Sequence, residues 1–175
     1  MRDRLTPVLT LAALLCGAVP AGAGIVLVDA GVVCPAIRET VDRVPAPDTE
    51  AGHVDLIGGD LTFDLQTGAV PLMRHLSFGL RVRNEGDAPV EAVVVVVHPP
   101  FGARRVARES WAHDVPAGDT ALNLFTFDHP YEMVPGRWTF SFEVGGETAL
   151  TVPFDVGAPG AEAAVDAVCL GALAV

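Results

Sequence analysis

Alternation of apolar and polar residues with a period of two recurs along this chain, and it restricts the fold more than any other feature. Residues 75–83, 138–144 and 148–156 each carry an apolar side chain at nearly every second position. Such alternation is typical of β-strands with one buried face, because successive side chains of a pleated strand point to opposite faces. The sequence therefore predicts an all-β protein.

Glycine, proline and valine residues refine this strand pattern. Gly145-Gly146, between the last two segments, suits the positive φ angles of a tight hairpin turn. Pro153 has no N–H to donate, which predicts a sheet edge or a bulge at that position. Val93–Val97 is a run of five β-branched residues. Such a run favours a central strand covered on both faces and disfavours a helix.

Further short apolar runs are candidates for the other strands of a predicted fold that has about seven to eight strands. The additional segments are 25–33, 54–57, 61–65, 90–97, 109–115 and 121–128. Gly58-Gly59-Asp60 predicts a hairpin between the second and third of them, and residues 43–52 are expected to form a long loop. Strands at these intervals are typical of a sandwich or a barrel. An alanine-rich segment, Ala161–Cys169, predicts a short helical tail.

The first 23 residues have the composition of a secretory signal peptide. Arg2 and Arg4 precede an apolar run that ends at Val19, and Ala21-Gly22-Ala23 supplies a small-x-small cleavage site. The run is shorter than the roughly 20 residues of a membrane span. We therefore expect residues 1–23 to direct export and residues 24–175 to form a single domain without a membrane span. Cys16 raises the alternative of a lipid-modified N-terminus, although a large residue precedes it.

Export to an oxidising compartment would allow the cysteines to form a disulfide. Once the signal peptide is removed, Cys34 and Cys169 remain, near the two ends of the domain. An even number of cysteines in an oxidising compartment favours a disulfide. Two buried thiols and a redox pair are the alternatives, and the redox pair is disfavoured because the chain lacks a close Cys-x-x-Cys spacing.

The charge of the chain argues against some classes of partner. It carries 22 acidic and 11 basic residues, and its formal net charge is −11. Nucleic acids and anionic membrane surfaces are bound through clustered cations, which such a composition disfavours. Lysine is absent, so a phosphate-binding loop of the Gly-x-x-x-x-Gly-Lys type is excluded.

One segment has a more specific pattern than the rest of the chain. Residues 127–140 read Phe-Asp-His-Pro-Tyr-Glu-Met-Val-Pro-Gly-Arg-Trp-Thr-Phe. Together with His98-Pro99-Pro100, Gly31-Val32-Val33-Cys34 and Cys169-Leu170, this segment resembles a family of exported bacterial proteins called domain of unknown function 3859. The resemblance implies an immunoglobulin-like antiparallel β-sandwich in the periplasm. It implies no activity and no catalytic residues.

Residues 131–138 also have a structural interpretation. Pro135-Gly136 predicts a turn from which Trp138 enters a strand that faces the core. Tyr131 lies just upstream of this turn. We expect its ring to pack inward and its hydroxyl to bond to the backbone, as in the tyrosine corners of sandwich folds.

Histidines supply the one candidate for a metal site. His98, His113 and His129 all lie near predicted strand ends, and with Asp128 they form a hypothetical site for a divalent metal. Their spacing is not that of a metal-binding motif. We therefore favour the interpretation that His98 and His129, each followed by proline, end strands and bond to the backbone.

A basic cluster near two aromatic residues is the candidate interaction surface. Its members are Phe101, Arg104, Arg105, Arg108 and Trp111. On an acidic protein such a cluster suits an acidic partner or a glycan. The alternative is a solvated loop whose arginines pair with nearby acids such as Glu109.

The sequence as a whole favours an exported, non-enzymatic β-sandwich without a cofactor that binds another envelope protein or associates with itself. Two other functions stay open. One is a metal-dependent hydrolase built on His98, His113, His129 and Asp128. The other is a small-ligand carrier, which predicts an apolar cavity between the two sheets.

Overall fold

The computed structural model describes residues 24–157 and 163–172, and these residues form ten β-strands, one 3₁₀ turn and one α-helix. The strands are β1 (Ile25–Val33), β2 (Thr40–Pro45), β3 (His53–Ile57), β4 (Ala69–Pro71), β5 (Ser77–Asn84), β6 (Val90–Phe101), β7 (Val106–Val115), β8 (Thr120–Thr126), β9 (Gly136–Val144) and β10 (Glu147–Gly157). The 3₁₀ turn is Pro130–Glu132, and the helix α1 is Ala163–Ala172.

Eight of the strands form two sheets that pack face to face. One sheet has the strand order β1-β5-β8, and the other has the order β4-β10-β9-β6-β7. All pairings are antiparallel except the short one between β4 and β10. In immunoglobulin notation these orders correspond to A-B-E in one sheet and G-F-C-C′ in the other. The prediction of an immunoglobulin-like, all-β sandwich with a short C-terminal helix is confirmed.

The alternating residues of the central strands form the core between the sheets. Phe78, Leu80 and Val82 of β5 are fully buried, as are Trp138 and Phe140 of β9. The Phe78 ring lies within 6 Å of five other aromatic rings, measured between centroids. The interior of the sandwich is therefore filled by aromatic side chains.

The turn and edge predictions for the last two strands are confirmed. Gly145 and Gly146 both have positive φ, 61° and 83°, as a tight hairpin between β9 and β10 requires. Strand β4 pairs only with residues 155–157 of β10. Pro153 therefore lies where β10 is a sheet edge, and its missing N–H leaves no ladder bond unmade.

The valine strand differs from the prediction. Strand β6 lies between β7 and β9, so it is central within its sheet. Val94 and Val96 are fully buried, but Val93 and Val97 on the opposite face are 39% and 45% exposed. Val95, which lies between them on that face, is only 3% exposed. The prediction that both faces are covered is therefore correct for the centre of the valine run and wrong for its two ends, because only one face of this sheet packs on the other sheet.

The predicted hairpin at Gly58-Gly59-Asp60 is also wrong. Strand β3 pairs with β2, within the segment expected to be a long loop, and the chain after β3 does not turn back. Instead it crosses the β1-β5 sheet: the backbone N–H of Val32 donates to the carbonyl of Leu65 at 2.9 Å. A Cβ at Gly31 would lie 2.2 Å from that carbonyl oxygen, so glycine is required for the crossing.

A disulfide joins the two ends of the domain. Cys34 follows β1 and is bonded to Cys169 in α1, with a Cα–Cα distance of 5.1 Å. Cys169 and Val165 are buried against the core. The predicted bridge and helix are confirmed within the described residues, whereas Ala161 and the proposed signal segment 1–23 lie outside them. Among the described residues no helix combines the length and the hydropathy needed to cross a bilayer.

Candidate functional site

A cleft lies between the β2–β3 hairpin and the strands at one side of the sandwich. Strands β7 and β8 are the last strands of their respective sheets, and no further strand from the described part of the chain lies beside either of them. Side chains of β2, β3, β7 and β8 together line the cleft. The cleft consists of two adjoining pockets, which we call its two ends. They share five lining residues: Val54, Asp55, Ile57, Trp111 and Leu124.

The tip of the hairpin is fastened to the β6–β7 turn by Glu50. Its carboxylate accepts the N–H of Ala103 at 3.0 Å and pairs with the Nε of Arg104 at 3.2 Å. The Glu50 N–H donates to the carboxylate of Glu109 at 2.6 Å. Gly102 has a φ of 70°, and a Cβ there would lie 2.4 Å from the Glu50 side chain. The hairpin is therefore held in place over β7 by charge-assisted hydrogen bonds.

The first end of the cleft is mainly apolar, and we call it the apolar end. It encloses about 460 Å³, and most of its lining is apolar: Val44, Val54, Leu56, Ile57, Leu61, Trp111, Leu122 and Leu124. The polar side chains that line it are those of Asn123, His113, Asp114 and Asp55, and Asp55 lines the other end as well. His113 and Asn123 join the two sheet edges: Nδ1 of the histidine donates to Oδ1 of the amide at 2.9 Å. Asn123 is 4% exposed, and its Nδ2 has no hydrogen-bond partner among the described residues.

The second end is acidic, and we call it the acidic end. It encloses about 340 Å³, and its titratable lining residues are Asp55, Glu109, Asp128 and Glu132, together with His53, His75, His129 and Arg38. Phe125 and Trp111 line it as well. Carboxylates outnumber permanent cations here by four to one. The electrostatic potential at this end is therefore negative while these carboxylates are ionised.

Glu132 is the buried carboxylate of the acidic end. It is 8% exposed, and it accepts the backbone N–H of His129 at 2.7 Å as part of the capping box of the 3₁₀ turn. Burial raises the pKa of Glu132 to about 7, and the negative charge of Asp128 adds to this rise. A carboxyl group in such a position titrates near neutral pH.

Arg38 is the arginine that lines the acidic end, and neutral oxygens hold it. Its guanidinium donates to the hydroxyl of Ser77 at 3.1 Å and to the carbonyl of Cys34 at 2.9 Å. Burial lowers the pKa of this arginine, and the charges of Asp64 and Asp128 oppose that effect. Arg38 is thus a cation fixed beside the disulfide, and within the described residues it forms no ion pair with Glu132 or Glu109.

The histidines of the metal-site hypothesis lie apart. His98 is buried and stacked between Phe101 and Trp138, and its Nδ1 donates to the carbonyl of Pro99 at 3.0 Å. His113 bonds to Asn123, and His129 stacks on Tyr131. No three His, Cys, Asp or Glu side chains in the described ranges are placed to share a metal ion. The structure therefore does not form the predicted cluster of His98, His113, His129 and Asp128.

The predicted interaction surface is divided among three environments. Phe101 is buried in the core, whereas Trp111 lines the cleft. Arg104 pairs with Glu50 on the hairpin, and Arg108 lies 3.6 Å from Glu143 on β9. Arg105 is exposed in the turn, with a φ of 56°. The arginines pair with acids from distant parts of the chain, and Glu109 pairs with none of them among the described residues.

The corner residues behave partly as expected. Trp138 is fully buried, its Nε1 donates to the carbonyl of Val134 at 3.1 Å, and Pro135-Gly136 precedes it as the start of β9. Tyr131, in contrast, is 42% exposed and stacks on His129. The inward packing predicted for Tyr131 is wrong, because Glu132 takes the buried position of this turn.

The cleft itself was missed from the sequence. Its lining comes from four strands that are far apart in the chain, and the β2–β3 pairing that roofs it was not predicted. Glu50, Glu109 and Glu132 are three acids among 22, and no spacing distinguishes them. The one available signal was the His53-x-Asp55 pair, which lies on one strand and lines the acidic end.

Comparison with known proteins identifies a family and gives no activity. Residues 29–156 match the family model described as Domain of unknown function (DUF3859). No curated protein matches the chain. An immunoglobulin-like protein from Pseudomonas aeruginosa is similar at 18% identity and a TM-score of 0.48, over 78% of this chain and 99% of that one.

Two weaker similarities are to parts of larger enzymes. An alkylpurine DNA glycosylase from Pseudomonas fluorescens is 16% identical with a TM-score of 0.33, over 51% of this chain and 27% of that chain. A β-D-glucoside glucohydrolase from Trichoderma reesei is 13% identical with a TM-score of 0.34, over 76% and 19%. Likenesses at these TM-scores transfer no function.

Proposed function

We propose that this chain, which belongs to the family DUF3859, a domain of unknown function, is an exported, non-enzymatic binding protein. Its ligand occupies the cleft under the β2–β3 hairpin. Its place of action in this proposal is the bacterial periplasm. The ligand is a small molecule, held between the hairpin and the edge strands β7 and β8.

The observation that carries this proposal is the apolar end of the cleft. Its volume of about 460 Å³ falls within the roughly 300–1,000 Å³ of small-molecule sites, and a few polar groups accompany its apolar lining. The carrier hypothesis from the sequence placed the cavity between the sheets, but aromatic rings fill that space. The cleft lies instead outside the sandwich, where a ligand can enter without displacing the core.

Export is supported by two independent features. Residues 1–23 have the composition of a secretory signal, and the Cys34–Cys169 disulfide suits an oxidising compartment. We expect the chain, expressed with its own first 23 residues in a Gram-negative host, to appear in the osmotic-shock fraction with the disulfide formed. Immunoblotting of the shock and cytoplasmic fractions checks this. Retention of a reduced, full-length chain in the cytoplasm would contradict the export part of the proposal.

A binding prediction follows for Leu56, an apolar side chain of the hairpin that lines the cleft. Leu56→Gln is expected to weaken binding of Nile red, a neutral apolar dye, by about fivefold or more, because the dye loses an apolar contact of roughly 1 kcal/mol. Fluorescence titration of the purified protein measures the dissociation constant. Leu56 is 43% exposed, so the substitution leaves the core intact.

The matched control is Val97→Gln. The exposed fraction of Val97, 45%, is close to that of Leu56, but Val97 lies on β6 and does not line the cleft. We expect Val97→Gln to bind the dye as the unaltered protein does. Equal dye binding by all three proteins, or no binding by any of them, would contradict the proposed function.

A further inference from the structure

The two ends of the cleft differ in chemistry, and we infer that its ligand is an amphipathic cation, with an apolar chain in the apolar end and a protonated amine or quaternary ammonium group in the acidic end. This inference rests on the proposed function, since it names the class of ligand for the same cleft. The occupant is a small molecule, because the volume of each end is that of a small-molecule pocket.

The apolar end is suited to an aliphatic chain. Val44, Val54 and Leu56 of the hairpin face Leu122 and Leu124 of β8 across it. Several of these side chains are exposed in the unoccupied protein, Val44 by 44% and Leu56 by 43%. Covering them with an apolar chain removes that area from water, which stabilises the complex by about 25 cal/mol per Å².

A buried polar group in the same end also indicates a ligand. Asn123 is almost fully buried and lines the cleft, and its Nδ2 lacks a hydrogen-bond partner among the described residues. A buried amide N–H without a partner is destabilising, because it has lost its bond to water. The oxygen of the same amide is already bonded to His113, so the unpaired group is the amide nitrogen.

The acidic end is suited to a cation. Asp128 is exposed at its rim, and Glu132 and Glu109 are buried within it, at 8% and 4% exposure. Neither Glu109 nor Glu132 is paired with an arginine in the part of the chain that the structure describes. The fourth carboxylate, Asp55, is neutralised by Arg43 at 2.7 Å. The other three carboxylates share one permanent cation, Arg38. Two of them also contact a histidine: Nε2 of His98 lies 3.7 Å from Glu109, and Nδ1 of His75 lies 3.4 Å from Asp128.

Repulsion among the carboxylates of the acidic end favours a ligand with a positive charge. Burial and the charge of Asp128 already disfavour the ionised form of Glu132, and Glu109 adds to the repulsion. A ligand cation relieves this repulsion, whereas an anionic head group increases it. Trp111 and Phe125 line the same end, and aromatic rings add attraction for ammonium groups.

The test compares three ligands that share one chain and differ in head-group charge. Decylamine, decanol and decanoate are used to displace Nile red from the purified, disulfide-bonded protein at about pH 8, where Glu132 is mostly ionised. We expect decylamine to bind on the order of tenfold more tightly than decanol, and decanoate to bind most weakly. Equal affinities, or tighter binding of decanoate, would overturn the inference.

A pair of matched variants locates the effect in the acidic end. Asp128→Asn combined with Glu132→Gln removes two charges from the cleft, whereas Asp87→Asn combined with Glu147→Gln removes two from exposed positions outside it. The first variant is expected to lose the preference for decylamine over decanol, and the second to keep it. Both should still bind Nile red. A preference that persists in the first variant would overturn the inference, because long-range net charge would then be its source.

The proposed function and this inference fail in distinguishable ways. If Nile red does not bind, or binds independently of Leu56, the cleft is not a ligand site and the proposed function fails. If the dye binds in the cleft but the three decyl ligands compete equally, the binding role stands and the cationic ligand class is wrong.

Discussion

Replacing Cys34 and Cys169 together by alanine is expected to lower the free energy of unfolding by about 3–5 kcal/mol. The bridge closes a loop of 135 residues, nearly the whole domain, so it restricts the unfolded chain strongly. It also fixes α1, whose ten residues are too few to form a stable helix alone. We therefore expect the variant to lose protection of α1 from hydrogen exchange before the rest of the domain unfolds. Urea unfolding and hydrogen exchange measure the two effects.

The control for this prediction is the unaltered protein after reduction of its disulfide. The reduced protein keeps both sulfur atoms, so it separates the loss of the covalent link from the loss of packing around Cys169, which is fully buried. Both proteins should be destabilised, and the alanine variant slightly more. Equal unfolding midpoints for the oxidised and reduced protein would show that the bridge does not stabilise the fold.

Phe78→Ala is expected to lower the free energy of unfolding by about 3–5 kcal/mol. Phe78 is fully buried on β5, and its ring packs against rings from both sheets, with centroid distances of 5.5 Å to Trp138 and 5.3 Å to Phe154. Its removal leaves a cavity whose walls are held by two hydrogen-bonded sheets and cannot collapse fully. Urea unfolding followed by far-UV circular dichroism measures the change.

Phe63→Ala is the matched control. The same side chain is removed, but Phe63 is only partly buried, in the segment that follows β3, and it lies outside the core cluster. We expect a loss of less than about 1.5 kcal/mol. Similar losses for the two variants would mean that the aromatic cluster between the sheets is not the main source of stability.

The outcomes for β5, β9 and β3 explain which strands a sequence can predict. Strands β5 and β9 have one face in the core, so the alternation of apolar and polar residues along them follows the alternation of buried and exposed positions. Strand β3 has mixed exposure along its length, and its pattern therefore carries no information about its partner. Its true partner, β2, is wholly exposed, and the second half of that strand lies in the segment 43–52 that was predicted to be a loop. Prediction failed where the strands are not part of the sandwich core.

The candidate site shows the same division at the level of single residues. Trp111 was singled out for its chemistry and does line the cleft, but it was assigned to a surface with Phe101, which is buried. Glu132 lies inside the most specific segment of the chain and was not singled out. Its importance comes from burial beneath the hairpin and from the proximity of Asp128, and neither is encoded in a local pattern.

Local patterns along the chain were sufficient for the strand-rich fold, the glycine turn between β9 and β10, and the pairing of Cys34 with Cys169. These features depend on neighbouring residues, or on a set so small that one pairing is available. The position of the β2–β3 hairpin, the Glu50 contacts that hold it, and the cleft with one apolar and one acidic end were decided only by tertiary packing. They require residues separated by 50 or more positions to meet, such as Glu50 with Ala103 and Arg104, and only the folded backbone specifies such encounters.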